Sequence, residues 1–203
     1  MARQRGPTEK ISRRFGVPLF GPSKSLERRA YGPGQHGARN TRRKRSDYSM
    51  ALAEKQKLRF QYGLMEKNLR RYFEEAQRRP GVTGEVMLQL IEIRLDNVCF
   101  RMGFGNTRRG ARQFVNHGHV EVNGVKCDIP SYQCKAGDTV VIRQGQRSQQ
   151  LAMRLLDLTQ AVPVPEWVEI DSDKLNGKVL RLPERNEYDP MVNEQLVVEL
   201  YAR

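Results

Sequence analysis

The sequence predicts an α+β fold, with a basic extended N-terminal arm, a helical domain, and a module of short helices with a β-hairpin and a small sheet. Three observations lead to this prediction. Residues 1–45 are rich in Gly, Pro and basic side chains, which is typical of loops. Apolar residues recur at helical spacing between residues 47 and 102. Alternating residues then flank Asn123-Gly124, a strong signal for a two-residue hairpin turn.

Positive charge is concentrated near the N-terminus. The 203 residues carry a formal net charge of +13; residues 1–50 contribute +10, whereas residues 161–203 carry −4. Such a charge is informative about partners: a nucleic acid, an anionic membrane surface or an acidic protein would fit it. The basic stretch lacks an amphipathic period and no apolar run could span a bilayer, which argues against a membrane. The charge pattern therefore favours a nucleic-acid-binding protein.

The basic arm, residues 1–45, contains several Gly-Pro breaks and ends in a run of four basic residues. Such a segment buries too little apolar surface to fold firmly alone. It is either a solvated tail or a segment that becomes ordered on a partner. Apolar residues such as Phe15 and Phe20 favour ordering on a partner, because they can anchor the arm to a surface.

The cellular compartment is predicted from two features. The first ten residues contain no apolar stretch of the kind found in secretory signals. The cysteines Cys99, Cys127 and Cys134 are odd in number and form no close pairing motif. Together these features predict reduced thiols in a cytoplasmic protein.

Caps and apolar stripes predict the helices of the first half. Ser46 is a good N-cap for a helix near 47–62, and a second stripe predicts a helix near 65–78. A third helical stretch should begin at Thr83 and continue to Met102, along a seam of apolar residues. We interpret these stripes as helix packing rather than as functional sites.

A short helix over 108–116, capped by Thr107, is the most informative local feature. We expect its arginines, Arg108, Arg109 and Arg112, to face outward, beside a hairpin that carries Lys126. Arg suits phosphate binding because its planar fork donates two charge-assisted hydrogen bonds. No carboxylate occurs within 107–120 to neutralise these arginines, which favours RNA binding over an ordinary solvated face.

Later elements follow the same rules. A strand is predicted over 139–143 and a helix over 148–159, and strand-like pieces lie at 178–182 and 195–201.

Signatures of catalysis are absent from the sequence. No nucleotide-binding loop, metalloprotease motif or nucleophile motif occurs. The pair His117-x-His119 could bind a metal, but in a basic loop histidine more often contacts phosphate or a 2′-hydroxyl. Tyr132 lies in a turn, where either stacking on an unpaired base or packing is expected.

Ten segments carry a resemblance to a known family. The first five resemble the RNA-binding module named after ribosomal protein S-four: Arg94–Phe104, Ala111–Gln113, His117–His119, Val122–Gly124 and Ile129–Tyr132. That module also occurs in RNA-modifying enzymes. The rest of the chain resembles the S-four family of small-subunit ribosomal proteins itself, at Pro33–Gly37, Ser46–Tyr48, Glu54–Lys57, Arg181–Pro183 and Asn193–Arg203.

The resemblance implies a structural, non-enzymatic component of the small ribosomal subunit that binds its 16S rRNA early and nucleates assembly of the subunit body. It also implies contact with ribosomal protein five of that subunit, where translational accuracy is influenced. A position near the mRNA entry channel and repression of its own operon are further roles implied by the family.

The resemblance also divides the chain into domains. It implies a basic arm over 1–45, a helical domain over 46–93 continued by 158–203, and the S-four-type module inserted over 94–157. Many family members bind zinc through cysteines in the arm. This arm has no cysteine, so we expect no metal and no cofactor.

The candidate RNA-binding residues combine the basic arm, the first long helix and the module. They are Arg3, Arg5, Arg13, Arg14, Gln35, His36, Arg39, Arg42, Arg43, Lys44, Arg45, Tyr48, Lys55, Lys57, Arg108, Arg109, Arg112, Asn116, His117, His119, Asn123, Lys126, Ser131 and Tyr132.

Two other classes compete with this interpretation. An RNA-modifying enzyme that carries the same module, such as a pseudouridine synthase, would need a further catalytic domain, for which residues 1–93 and 158–203 show no pattern. A DNA-binding regulator would need a recognition helix with dimer spacing, which is not visible.

Overall fold

The computed structural model of the chain describes residues 6–39, 46–187 and 191–202. The chain divides into two units, Met1–Met87 with Asp189–Arg203, and Leu88–Tyr188. The predicted α+β class is confirmed, because the described residues form nine α-helices and one five-stranded antiparallel sheet. None of the described helices has the length and apolar character needed to cross a bilayer.

The elements follow the chain in a simple order. The first unit contains α1 (Thr8–Phe15), α2 (Lys24–Arg28), α3 (Asp47–Gln61), α4 (Glu66–Arg78) and α9 (Glu194–Ala202). Helix α5 (Thr83–Glu92) runs across the division. The second unit contains α6 (Leu95–Arg101), α7 (Arg108–Asn116), β1 (Val120–Val122), β2 (Val125–Lys126), β3 (Thr139–Ile142), α8 (Gln146–Thr159), β4 (Val168–Asp171), β5 (Asn176–Val179) and a 3₁₀ turn, Arg185–Glu187.

The core of the first unit lies where α9 packs on α3 and α4. The rings of Phe73 and Tyr201 stack with their centroids 4.9 Å apart. The Tyr201 hydroxyl donates a hydrogen bond of 2.9 Å to Glu66, which also accepts one of 2.6 Å from Lys55 Nζ. An apolar contact and a shared carboxylate thus fix the C-terminal helix.

The strand predicted at 195–201 is wrong, because this segment is helix α9. Its apolar residues are nearly continuous, so they satisfy an alternating pattern as well as a helical one. Two observations explain the helix. The Asn193 side chain caps it, accepting from the backbone N–H of Gln195 at 3.1 Å, and Val197 and Tyr201, one helical turn apart, both contribute to the packed face.

The described part of the arm is not purely extended, which corrects the prediction for residues 6–39. Helix α1 ends at Gly16, whose φ of 71° allows its N–H to reach Ser12 O at 2.9 Å. Phe15 contacts Phe60 of α3, with ring centroids 5.9 Å apart. This apolar contact gives the helix a surface to pack on, which sequence composition alone did not reveal.

The sheet of the second unit has the strand order β2-β1-β3-β5-β4. The predicted hairpin is confirmed: Val122 pairs with Val125, and Asn123 and Gly124 have φ of 51° and 79°. The buried face packs on α6 and α7 around residues such as Phe114 and Trp167.

The helical stretch predicted over 83–102 is interrupted. Arg94 has extended backbone angles, φ −65° and ψ 140°, and forms a bridge with Gln133. Leu95 N–H donates to Tyr132 O at 2.8 Å. Backbone hydrogen bonds to this distant segment therefore replace one turn of helix and separate α5 from α6.

Residues 158–187 lie with the module in the structure. The expected boundary at 157 would place β4 and β5 in the helical domain, yet β5 pairs with β3, with Val140 opposite Gly177. The strand expected at 178–182 is β5, which ends at Val179. Gly177 allows this arrangement, since a Cβ there would lie 2.7 Å from Met102 Sδ.

Phe114→Ala should destabilise the second unit by roughly 3–5 kcal/mol, the usual cost of deleting a buried aromatic ring. The ring is 3% exposed and lies between Phe104 and His119. Urea unfolding followed by tryptophan fluorescence of the buried Trp167 measures the change. An unaltered unfolding midpoint would mean that Phe114 is not part of the core.

Glu66→Gln should remove a pH-dependent contribution to the stability of the first unit. Burial raises the pKa of the Glu66 carboxyl, but hydrogen bonds from Lys55 and Tyr201 outweigh it, so that the pKa lies below its ordinary value of 4.5. The ionised form therefore stabilises the fold above that pH, and this contribution is lost as the pH falls through the folded-state pKa.

Because Glu66 is partly exposed, the loss should stay under about 1 kcal/mol. Thermal melts of both proteins at neutral pH and at lower pH test it. The melting temperatures should differ at neutral pH and converge in acid; a constant difference would assign the effect to packing.

Candidate nucleic-acid interface

Helix α7 begins as the sequence predicts. The Thr107 side chain accepts a hydrogen bond of 3.0 Å from Gly110 N–H, which caps the helix. Ala111, Phe114 and Val115 are buried on its inner side. This packing fixes the directions in which the remaining side chains of α7 project.

The three arginines of α7 have different environments, which corrects the prediction that all face outward. Arg109 is exposed. Arg108 is half-buried, with its guanidinium 4.7 Å from the centroid of the Phe100 ring and 3.7 Å from Glu92. Arg112 is only 8% exposed, and its Nε lies 3.3 Å from Asp96 Oδ2.

Two buried carboxylates, which the sequence analysis missed, explain this difference. Glu92 accepts two hydrogen bonds from Arg101, at 3.2 and 2.7 Å, and its side chain is 1% exposed. Asp96 accepts two from Arg94, at 3.0 and 2.8 Å. The signal was available, because Glu92-x-Arg94-x-Asp96 interrupts an otherwise apolar run, and buried charges require partners.

The loop after α7 carries two histidines in different environments. His117 is exposed, whereas His119 is half-buried with its ring centroid 4.9 Å from that of Phe114. His119 Nδ1 lies 2.9 Å from Ser148 Oγ. Burial, and to a lesser degree the charge of His117, lowers the pKa of His119, which favours a neutral ring at neutral pH.

Lys126 of β2 lies beside this loop. Gly118 has a φ of 72°, and a Cβ at that position would lie 2.6 Å from Lys126 Cε. The absence of a side chain there lets the aliphatic stem of Lys126 cross the loop at Gly118. Lys126 and Asn116 are exposed.

Three other predicted residues of the module are hydrogen-bonded or partly buried within the protein. The Asn123 side chain donates to Asp138 Oδ1 at 2.9 Å and accepts from Thr139 N–H at 2.9 Å, so it holds the hairpin. Ser131 and Tyr132 are half-buried. Burial raises the pKa of Tyr132, and its side chain packs against the apolar core, which favours packing over base stacking at this position.

In the arm, Gly37 makes a tight turn possible. A Cβ on it would lie 1.9 Å from Gly32 O. The turn presents Gln35, His36 and Arg39 to solvent.

Other basic candidates of the first unit differ in accessibility. Arg13 is half-buried and donates to Tyr31 O at 3.2 Å, whereas Arg14 and Tyr48 are exposed. Lys55 and Lys57 form 2.6 Å ion pairs with Glu66 and Glu54. The remaining candidates fall outside the described residues: Arg3, Arg5, Arg42, Arg43, Lys44 and Arg45.

Within the described residues, no group of three or more His, Cys, Asp or Glu side chains is placed to hold a metal ion. Burial raises the pKa of the thiols of Cys99 and Cys134, which disfavours the thiolate form that binds metals. The expectation of no zinc stays a prediction.

Comparison with known proteins gives a consistent result over the full length. Residues 3–92 match the family described as Ribosomal protein S4/S9 N-terminal domain, and residues 93–140 match the S4 domain. The chain is 59% identical to the small ribosomal subunit protein uS4 of Akkermansia muciniphila and 50% identical to that of Opitutus terrae. It is 49% identical to that of a Geobacillus species, and all three alignments cover 100% of each chain.

Arg112→Gln should lower the melting temperature, whereas Arg109→Gln should leave it unchanged. Removing Arg112 deletes a buried charge-assisted contact to Asp96, with an expected loss of about 1–3 kcal/mol. Arg109 is exposed, so its replacement by another good helix former should be nearly neutral. Thermal melts of the two variants provide the test; equal melting temperatures would mean that the buried pair contributes nothing to stability.

Proposed function

Because the chain belongs to the uS4 family of small ribosomal subunit proteins, which are structural and not enzymatic, we propose that it binds 16S rRNA through an exposed polar stripe of its S4 domain. The stripe consists of Arg109, Gln113, Asn116, His117 and Lys126. In this proposal the stripe is the surface of the S4 domain that contacts RNA.

The single observation that carries the proposal is the geometry of this polar stripe. Arg109, Gln113 and Asn116 are exposed at the spacing i, i+4, i+7, which places them on one face of α7. His117 continues the face at the C-terminal end of the helix, and Lys126 crosses the adjacent loop beside Gly118. Donors on a rigid helix and hairpin can follow the backbone of an RNA helix.

Recognition is proposed to depend mainly on backbone shape. A-form RNA hides its base edges in a deep, narrow major groove, so proteins read its phosphates and 2′-hydroxyls. Arg109 and Lys126 would bind phosphates, and Asn116 and His117 are suited to hydroxyl groups. In the first unit, the exposed Arg14, Gln35, His36, Arg39 and Tyr48 would supply further contacts.

The finer roles rest on the family resemblance. We propose that the basic arm and the S4 domain hold several rRNA helices together, which would nucleate assembly of the subunit body early. Contact with ribosomal protein five would link the chain to translational accuracy. We also propose that the chain lies near the mRNA entry channel and that it binds the mRNA of its own operon.

The competing enzyme interpretation does not hold. A pseudouridine synthase with the same module would need an additional catalytic domain. This chain instead matches uS4 proteins over their full length, including the segments outside the S4 domain.

Replacing Arg109 and Lys126 by Gln should weaken binding to a small-subunit rRNA fragment and reduce its salt dependence. Each phosphate contact to duplex RNA contributes a slope of about −0.9 in a plot of log K against log salt. Losing two contacts should make the slope shallower by about 2. Filter binding at several salt concentrations measures both quantities.

Lys174→Gln is a control for removing a positive charge elsewhere in the same unit. Lys174 is an exposed lysine of the same unit, on the turn between β4 and β5, where it pairs with Asp171 at 3.2 Å. The control should bind like the parent. If the double variant also binds like the parent, with the same slope, the polar stripe is not the RNA interface.

A further inference from the structure

A largely apolar groove lies in the second unit, away from the polar stripe. It encloses about 650 Å³ between the end of α6, helix α8, the segment 160–164 and the turn after β4. Its apolar lining comes from all four of these parts and includes Phe100, Met153, Leu156, Val162, Val164 and Ile170.

The groove is held in shape by a close contact between α6 and α8. Thr159 Oγ1 near the end of α8 donates a hydrogen bond of 3.0 Å to Gly103 O, just beyond α6. Gly103 has a φ of 81°, and a Cβ at that position would lie 2.7 Å from Thr159 Oγ1. A glycine is therefore needed for the two helix ends to meet, and the groove exists before anything binds in it.

Several apolar side chains of the groove are open to solvent. Met153 is 51% exposed, and Val162 and Val164 are exposed as well. Apolar side chains gathered on one open surface are typical of interaction sites. A site for a small molecule would enclose most of its ligand, whereas this open groove fits a length of polypeptide that inserts its side chains.

The charges of the groove indicate the partner's chemistry. Asp157 of α8 and Asp173 of the turn after β4 line it, and both are exposed. Within the part of the chain that the structure describes, neither aspartate takes part in an ion pair. Arg101 also lines the groove, but its guanidinium donates two hydrogen bonds to Glu92. Two carboxylates beside an apolar surface complement a partner that carries cations.

We propose that this groove binds a segment of another protein in which apolar side chains are flanked by Lys or Arg. The apolar side chains would occupy the groove, and the cations would pair with Asp157 and Asp173. An RNA backbone fits this surface poorly, because its phosphates would be repelled by the same two carboxylates. The groove is thus a second interaction surface, and its existence does not depend on the proposed RNA-binding stripe.

A selection of random dodecapeptides on the immobilised full-length protein tests the proposal. The enriched peptides should combine apolar residues with Lys or Arg. Their affinities for the protein and its variants are then measured by fluorescence anisotropy with labelled synthetic copies.

Met153→Lys is the variant that should block the groove. It places a long cation among the apolar side chains, and juxtaposed like charges weaken association strongly, so peptide binding should fall tenfold or more. Leu158→Lys is the matched control. Leu158 lies on the same helix, is 61% exposed and does not belong to the groove lining, so this variant should bind the peptides like the parent.

The charge component is tested by Asp157→Asn combined with Asp173→Asn. Loss of two exposed ion pairs should weaken peptide binding by roughly three- to tenfold and reduce its salt dependence. Asp128→Asn combined with Glu169→Gln removes the same charge from two exposed positions outside the groove. That control should retain most of the parent's affinity.

The proposal would be overturned if no enriched peptide lost affinity for the folded Met153→Lys protein. It would also be overturned if the peptides sensitive to this change lacked basic residues, or if removing the two aspartates left their affinity unchanged. Thermal melts of every variant confirm that the fold is retained.

Binding to a small-subunit rRNA fragment separates this proposal from the proposed function. The Leu158→Lys and Met153→Lys proteins should bind the fragment equally well. A specific effect of Met153→Lys on RNA affinity, without one on peptide affinity, would assign the groove to RNA and overturn the proposal. Loss of RNA binding confined to Arg109→Gln with Lys126→Gln concerns only the polar stripe.

Discussion

Two buried carboxylates determine how the second unit presents its basic side chains. Glu92 ends α5 and Asp96 lies in the first turn of α6, and their arginine partners extend to α7. Removing either carboxylate would leave guanidinium groups without compensation in a poorly solvated region, where an unpaired charge is costly. The same ion pairs fix the orientation of α7 relative to α6, and with it the direction of its exposed stripe.

Local chemistry made much of the second unit predictable from sequence. The Thr107 cap and the Asn123-Gly124 turn are determined by neighbouring residues, and both lie where they were predicted. Burial of Arg112 could not be predicted in this way, because its partner Asp96 is distant in sequence and lies on another helix. A helical pattern can identify an outward face only when no other element covers that face. Here α6 covers part of it, so one of the three predicted outward arginines lies inside.

The C-terminal segment shows a different limit of sequence reasoning. Residues 195–201 contain five apolar residues, with Gln195 and Glu199 as the polar ones, so both an alternating and a helical pattern can be drawn through them. The choice is made by partners that the local sequence does not contain. Phe73 of α4 stacks on Tyr201, and Glu66 accepts the hydrogen bond from its hydroxyl. In a strand, Val197 and Tyr201 would also share a face, but at about 3.3 Å per residue they would lie roughly 13 Å apart, whereas one helical turn brings them about 6 Å apart along the axis and onto the same packed surface. Tertiary contacts therefore override an ambiguous local preference.

The formal charge of +13 exceeds the charge available to a polyanion. Lys55 and Lys57 are engaged with carboxylates of the same unit, and Arg94 lies almost entirely inside the second unit. Cations that are already paired with carboxylates or buried neutralise few RNA phosphates, so they release few of the counterions condensed on the RNA. Exposed side chains such as Lys126 retain that capacity. Screening acts over about 10 Å at 0.1 M salt, so the local arrangement of charge has more influence on binding than the total. Internal pairing thus leaves the exposed cations of the second unit, rather than its total charge, to interact with a polyanion.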